Sequence, residues 1–267
     1  MNKDPQAFWQ TWKAKFGTRK TNRPTVNVDG SCDSKVVAEK FANIFESVCK
    51  PNNDRMYNRM RDNFLYEIDN YRVTNNSKID LDCVDRCLRR MKTGRAAGSD
   101  GIEVEHIIHA HPVVISLLTV LFEAILKYGY VPQIFCKGHI IPLLKDKQGA
   151  ASDISNYRGI TLSSALSKLF EMCLLEIYGD FLWSSDLQVG FKKNLGCSNA
   201  IYAVRSVCDY YSMNGSTVNV CLLDMSKAFD RVNQFALYRK LRNVPLAFIN
   251  VIVNWYSRCC ACVSKME

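Results

Sequence analysis

The sequence predicts an α+β protein that is mostly helical up to about residue 215 and begins a β-sheet after it. Apolar residues recur at helical spacing in several segments before that point, which is typical of amphipathic helices. Residues 218–223 then form a β-rich run with unbroken apolar residues at its end, as expected for a buried strand. The apolar fraction of 48% is sufficient for a packed core.

Charge and cysteine usage narrow the functional classes. Lys and Arg total 35 against 26 Asp and Glu, and the net charge of +9 suits a nucleic acid or an anionic membrane surface, although many basic proteins share it. The 12 cysteines form no regular framework and residues 1–10 do not resemble a secretory leader, so we expect a reduced intracellular protein. The longest apolar segment, residues 113–126, contains polar residues and predicts no membrane span.

The first 79 residues predict a helical extension. Residues 1–30 begin with an aromatic and basic stretch at helical spacing, and residues 33–50 form one apolar face. Breaks at residues 51–53 and 75–77 interrupt the helical pattern.

Two helices and one weak strand are predicted next. Residues 80–91 form a short helix, and residues 112–128 form the clearest helix of the chain, capped by Gly129. Residues 139–144 are apolar but contain Pro142, so they predict an edge strand at best.

The last part of the chain changes from helix to strand. Residues 163–181 and 198–212 predict helices, and the buried strand at residues 218–223 follows. Helical patterns resume after Val232 and again over residues 245–256.

Asp224 directly follows the predicted buried strand. A carboxylate in that position is costly unless something compensates its charge. A divalent cation such as Mg²⁺ is one partner, because carboxylate oxygens are its preferred ligands. The alternative is that Asp224 or Ser226 is the N-cap of the next helix.

Around Asp224 the sequence resembles a known family. The segment LLDMSKAFDRV, residues 222–232, closely resembles the first palm motif of reverse transcriptases from non-LTR retrotransposons. Four earlier segments resemble that family's fingers motifs in the family's order, and the match covers about residues 85–262: KTGRAAGSDGIEVE (92–105), GHIIPLLKDK (138–147), NYRGITLS (156–163) and QVGFKKN (188–194).

This resemblance implies part of a right-hand polymerase, with mostly helical fingers over residues 80–215 and the beginning of the antiparallel palm sheet over residues 216–267. The family's reaction is RNA-directed DNA synthesis. It implies an RNA template, a DNA primer, deoxynucleoside triphosphates and Mg²⁺ or Mn²⁺, and no membrane partner.

The resemblance also implies roles for five residues. Asp224 would bind the metal, and the backbone carbonyl of Met225 would share it. Phe229 would be the aromatic gate that excludes a ribose 2′-hydroxyl. Lys145 and Arg158 would contact the phosphates of the incoming nucleotide, as a point charge and a planar fork respectively.

Each of these residues has a simpler interpretation. Lys145 fits a solvated loop, Arg158 a surface position after a turn, and Phe229 a plain core position. The glycines of residues 94–98 lack the spacing of a P-loop, whereas Asp100-Gly101 predicts a turn in which the glycine has a positive φ.

Two further clusters attract notice but do not match metal-site spacings. His106, His109 and His111 fit no zinc pattern. The cysteines of residues 259–262 lack paired Cys-x-x-Cys spacing, and their alternation suits a strand.

The sequence has no adjacent Asp-Asp pair, which the family uses to hold the second metal. Two-metal catalysis needs carboxylates that clamp both ions, so we predict that the chain alone does not polymerise DNA. A non-catalytic basic RNA-binding module and a retroelement remnant without a stable fold are the alternatives. An unpaired palm strand also predicts poor solubility.

Overall fold

The computed structural model describes residues 27–49, 54–74, 78–146, 149–225 and 227–263, and within them the predicted α+β class is confirmed. The helix-like stretch predicted at the start of the chain and the two predicted breaks at residues 51–53 and 75–77 lie outside these ranges.

The first helices pack on different partners. Helix α1 (Ser34–Val48) begins at Asp33, whose side chain accepts a hydrogen bond from the Lys35 N–H at 2.8 Å. Its Phe41 ring meets the Tyr157 ring edge-on at 5.0 Å, which seats α1 on the sheet. Helix α2 (Asp54–Ile68) packs instead on a helix near the end of the chain.

The main core lies among four helices: α3 (Leu81–Arg90), α5 (Val113–Tyr128), α6 (Ala165–Tyr178) and α9 (Leu246–Arg258). Between α3 and α5 lies the short helix α4 (Val104–Ile108). Aromatic rings fill the centre of this core, with Trp255 stacked on Phe170 at 5.6 Å and its indole N–H donating to the Phe135 carbonyl at 3.2 Å.

Helices α7 (Cys197–Met213) and α8 (Gln234–Lys240) complete the helical part. Helix α7 matches the helix predicted over residues 198–212, yet none of its residues is buried. Helix α8 is the partner of α2: the Phe64 and Tyr238 rings lie 5.3 Å apart in a small second core.

The sheet has three strands in the order β2-β1-β3, formed by β1 (Lys137–Leu144), β2 (Tyr157–Leu162) and β3 (Cys260–Val263). Strand β1 is antiparallel to β2 and parallel to β3. The prediction that residues 139–144 lie at a sheet edge is therefore wrong, since β1 is central. Pro142 is tolerated because β3 pairs only with residues 137–140, so the proline lies past that ladder.

The buried strand predicted at residues 218–223 is also wrong. These residues have no regular secondary structure, and the side chains of Leu222 and Leu223 are 88% and 91% exposed. A strand needs a neighbour for its N–H and C=O groups, and no described residue pairs with this segment. The antiparallel palm sheet expected there is thus not formed by the described residues, and the domain boundaries stay a prediction.

Candidate nucleotide-binding site

The β1–β2 ribbon determines where Lys145 and Arg158 lie. Leu143 pairs with Arg158 in the antiparallel register, and the Lys145 N–H continues the ladder by donating to the Asn156 carbonyl at 2.7 Å. Side chains two positions apart on a strand, and those directly opposite on its neighbour, share one face. Lys145 and Arg158 are therefore diagonal neighbours on the same face of the ribbon.

The two faces of this ribbon have different environments. Helix α1 covers the face that carries Tyr157 and Gly159, and a Cβ on Gly159 would lie only 3.1 Å from the Phe45 ring. The other face carries Arg158 together with three exposed aliphatic side chains, Ile141, Leu143 and Ile160. We call this second face, with His139 and Leu162 at its far end, the open face.

Lys145 lies at the edge of the open face beside the loop that precedes β2. Its ammonium group donates to the Ser155 carbonyl at 2.8 Å. Asp153, in the same loop, accepts hydrogen bonds from the Ser155 hydroxyl and N–H, and these bonds hold the pKa of the Asp153 carboxyl below its usual value. The positive charge of Lys145 acts in the same direction. The prediction that Lys145 lies in a solvated loop and the prediction that it contacts phosphate are both compatible with this exposed position.

A cleft of about 670 Å³ begins at the other end of β2. Leu162 of the open face is part of its wall. Four basic side chains and two acidic ones also line it: Arg90, Lys92, Arg95, Lys168, Glu103 and Glu171. We call this space the basic cleft. Because β2 rises by about 3.4 Å per residue, Arg158 lies roughly 14 Å from Leu162 along the same surface.

The wall of the basic cleft is built from the end of α3, the first family-like segment, the end of the third segment and helix α6. Gly101 has a φ of 69°, which confirms the predicted Asp100-Gly101 turn. The Asp100 carboxylate accepts a hydrogen bond at 2.6 Å from the Ser164 hydroxyl, at the start of α6. This bond fixes the turn against the helix that carries Lys168.

Asp224 is not brought to the open face by any described contact. It lies in the exposed irregular segment, and no hydrogen bond or ion pair of its carboxylate is found among the described residues. Met225 and Phe229 are exposed as well, so Phe229 is not a plain core residue. Phe229 meets the Phe191 ring edge-on at 5.6 Å, which joins the fourth and fifth family-like segments.

The carboxylate of Asp224 is a hard oxygen ligand of the kind that Mg²⁺ prefers, but it stands alone. Within the described ranges, the one group of three or more potential ligand side chains with closely spaced ligand atoms is made of cysteines and does not include Asp224. The described residues therefore do not fit a two-ion magnesium site, which needs several carboxylates around both ions.

Three sequence relatives come from the same class of mobile element. The chain is 25% identical over 189 residues to the RNA-directed DNA polymerase from mobile element jockey of Drosophila funebris, which covers 67% of this chain. It is 24% identical over 177 residues, 63% of this chain, to the jockey polymerase of Drosophila melanogaster. It is also 27% identical over 169 residues, 60% of this chain, to a 115 kDa protein in type-1 retrotransposable element R1DM of Drosophila melanogaster. The resemblance predicted from the five motifs is thereby confirmed.

These alignments cover only 20%, 19% and 16% of the length of the respective relatives. No protein-family model matches the chain. Among the described helices, none is both long enough and apolar enough to cross a lipid bilayer.

Proposed function

We propose that the chain is the fingers region and the first part of the palm of a reverse transcriptase from a non-LTR retrotransposon. In this proposal it holds an RNA template and the phosphates of an incoming nucleotide, and a longer chain carries out the polymerisation. The sequence relatives support the class of protein. The observation that carries the binding role is the shared face of Lys145 and Arg158, which runs into the basic cleft.

The chemistry of the open face suits a single nucleic-acid strand. Arg158 and Lys145 supply cations for phosphate oxygens at one end, and the basic cleft supplies more at the other. The aliphatic side chains between them are exposed without being covered by another element, so they are available for sugar and base contacts. Non-specific affinity of this kind arises mainly from counterions released from the phosphates.

The binding role predicts a particular salt dependence. We expect the double variant Lys145→Ala/Arg158→Ala to bind a single-stranded RNA of about 20 nucleotides at least tenfold more weakly than the unchanged chain. The slope of log K against log salt should fall by about 1.4, because each lost contact to single-stranded RNA is worth about 0.7. Fluorescence anisotropy at several KCl concentrations measures both quantities.

A matched control removes the same charge elsewhere. The double variant Arg61→Ala/Lys127→Ala also loses two positive charges, from helices α2 and α5. It should retain nearly full affinity. An equal loss of affinity in both double variants would mean that net charge alone attracts RNA and that the open face has no special role.

We further expect no primer extension by the 267-residue chain with either Mg²⁺ or Mn²⁺. Asp224 offers a single carboxylate, whereas phosphoryl transfer by two ions needs a clamp on the attacking and leaving oxygens. The measurement is primer extension on an RNA template, with an active reverse transcriptase as the positive control. Template-dependent extension that disappears in Asp224→Asn would contradict this expectation.

The alternative function is a non-catalytic RNA-binding module, which the basic cleft favours by itself. Both functions predict RNA binding that survives Asp224→Ala and weakens when Lys145 and Arg158 are replaced. The two functions are distinguished by primer extension with a longer protein that contains this region. Extension that depends on Asp224 supports the polymerase, and RNA binding without extension supports the module.

A further inference from the structure

Three buried cysteines on facing helices meet in the main core. Cys83 and Cys87 are four positions apart on α3, and Cys173 lies opposite on α6. Their sulfur atoms all lie within 4.8 Å of one another. In a tetrahedral site with Zn–S bonds of about 2.3 Å, ligand sulfurs are roughly 3.8 Å apart, so small side-chain shifts would bring all three onto one ion.

Charged side chains lie along one side of this cluster. The Glu176 carboxylate, one turn after Cys173 on α6, lies 3.5 Å from the Cys87 sulfur. An Arg90 Nη atom donates to the same sulfur at 3.2 Å. Arg90 and Arg86 both pair with the Glu176 carboxylate. The Cys87 sulfur therefore contacts a carboxylate and a guanidinium group in addition to the apolar core.

We propose that Cys83, Cys87 and Cys173 bind a Zn²⁺ ion as thiolates, and that the Glu176 carboxylate shifts from its place beside the Cys87 sulfur to become the fourth ligand. Two ligands four apart on one helix face one ion, as in other helical zinc motifs, and paired helices supply the remaining ligands. The charges also balance. Three thiolates and one carboxylate carry four negative charges, and Zn²⁺ with Arg86 and Arg90 carries four positive ones.

Burial raises the pKa of the Cys83 thiol to about 11, and burial followed by the neighbouring sulfurs raises the pKa of the Cys173 thiol further. Zn²⁺ binding forms three Zn–S bonds and releases the three thiol protons to solvent, so affinity must rise with pH. At the limit of three protons per ion, the association constant increases by about 1000-fold per pH unit.

The test is a Co²⁺ titration of the reduced, metal-free full chain. Binding to the cluster should give a thiolate-to-cobalt charge-transfer band and tetrahedral d–d bands that saturate at one ion per chain, and Zn²⁺ should abolish them by displacement. Cys87→Ala and Cys173→Ala should each lose these bands. Cys136→Ala, at an equally buried cysteine of the same core, should keep them.

Arg90→Gln tests the surrounding charges separately. Arg90 is an outer partner of the ligand set, and its loss should weaken Zn²⁺ binding about 10–100-fold without removing the bands. On the unchanged chain, Zn²⁺ should raise the midpoint of thermal unfolding, which requires no variant to fold.

Three results would overturn the proposal. One is the absence of both the cobalt bands and the rise in unfolding temperature. The second is binding that survives Cys173→Ala but disappears when Cys259, Cys260 and Cys262 are all replaced. The third is a disulfide between two of the three buried cysteines in a chain that binds no metal.

Discussion

Gly98 lies against the backbone at the start of α6. A Cβ atom at this position would be 2.8 Å from the Ser164 nitrogen and 2.9 Å from the Ser163 carbonyl carbon. Both are main-chain atoms that belong to the connection between β2 and α6, so they cannot swing aside as a flexible side chain can. The neighbouring Asp100–Ser164 hydrogen bond depends on the same close approach.

We therefore expect Gly98→Ala to lower the free energy of unfolding by about 1–3 kcal/mol, the range found for overpacking. Gly179→Ala is the matched control, because nothing lies within 4 Å of a Cβ there and its φ of −54° suits alanine. The control should be neutral or slightly stabilising. Urea unfolding of both variants measures the difference, and equal midpoints would show that the loop moves freely away from α6.

Some single residues could be predicted from the sequence because their roles are local. Gly101 and Gly129, with φ values of 69° and 63°, occupy the turn and the helix end that their neighbours predict. The shared face of Lys145 and Arg158 is different, since it depends on the register of β1 and β2. The three-cysteine cluster is even harder to predict from the sequence. Cys87 and the neighbouring Glu176 are 89 positions apart, and no local pattern connects them.

Helix α2 is an element that the sequence pattern did not reveal. Its residues are mostly polar, and of those with described side chains Phe64 is the one that is buried. Tyr57 and Phe64 both contact the Phe235 ring of α8. Tyr57, Phe64 and Ile68 recur at helical spacing, but polar and charged residues make up most of the rest of the helix and dilute this period. The Glu67–Arg239 ion pair, at 2.6 Å, adds to these contacts between α2 and α8, but it is exposed and therefore weak.

Because Phe64 is 5% exposed and lies in the small core with Tyr238, we expect Phe64→Ala to destabilise the protein by about 3–5 kcal/mol. Tyr66→Ala, on the same helix but 77% exposed, should change stability by less than about 0.5 kcal/mol. Thermal unfolding followed by circular dichroism separates the two. A comparable small effect for both would mean that α2 contributes nothing to the cooperative unit.

The strand predicted at residues 218–223 is not formed, because a sequence pattern does not show whether a neighbouring strand is present. Its apolar, β-branched composition is typical of a buried strand, but composition cannot supply the neighbour to which a strand must bond. Strand β3 shows the opposite outcome: its alternating cysteines predicted a strand, and β1 is there to pair with it.

At the scale of the whole molecule, one part of the chain, residues 197–225, exposes many apolar side chains. All residues of α7 are at least partly exposed, and the segment after it adds Leu222 and Leu223. Its other strongly exposed apolar side chains are Ile201, Tyr202, Val204, Val207, Tyr210, Met213, Val220 and Met225. Exposed apolar side chains in this number promote association.

We expect the isolated chain to self-associate, and Leu222→Lys/Leu223→Lys to increase the monomer fraction without lowering the midpoint of thermal unfolding. The control double variant, Leu65→Lys/Leu175→Lys, changes two exposed leucines on α2 and α6 and should leave association unchanged. Sedimentation velocity gives the monomer fraction. A monodisperse monomer for the unchanged chain would show that this surface does not cause self-association.

For the whole molecule, the sequence predicted the α+β fold class and the resemblance to the sequence relatives, but it did not predict the strand order of the sheet. Helical periods and the five motifs depend on residues close together in the chain; the periods predicted most of the helices, although not α2, and the motifs predicted the resemblance to the sequence relatives. The central position of β1 depends on β3, which lies far along the chain, and the proline in β1 gives the opposite indication.

The parallel pairing of β1 with β3 also sets an order of events during synthesis. The indole of Trp255, which precedes β3, bonds to the carbonyl of Phe135, which precedes β1, across 120 positions. Until the ribosome has released β3, β1 can pair only with β2. The other edge of β1 then remains free to pair with a strand of another molecule. Contacts between such remote positions form slowly. The nascent polypeptide is thus most vulnerable to mispairing in the interval between the emergence of β2 and that of β3.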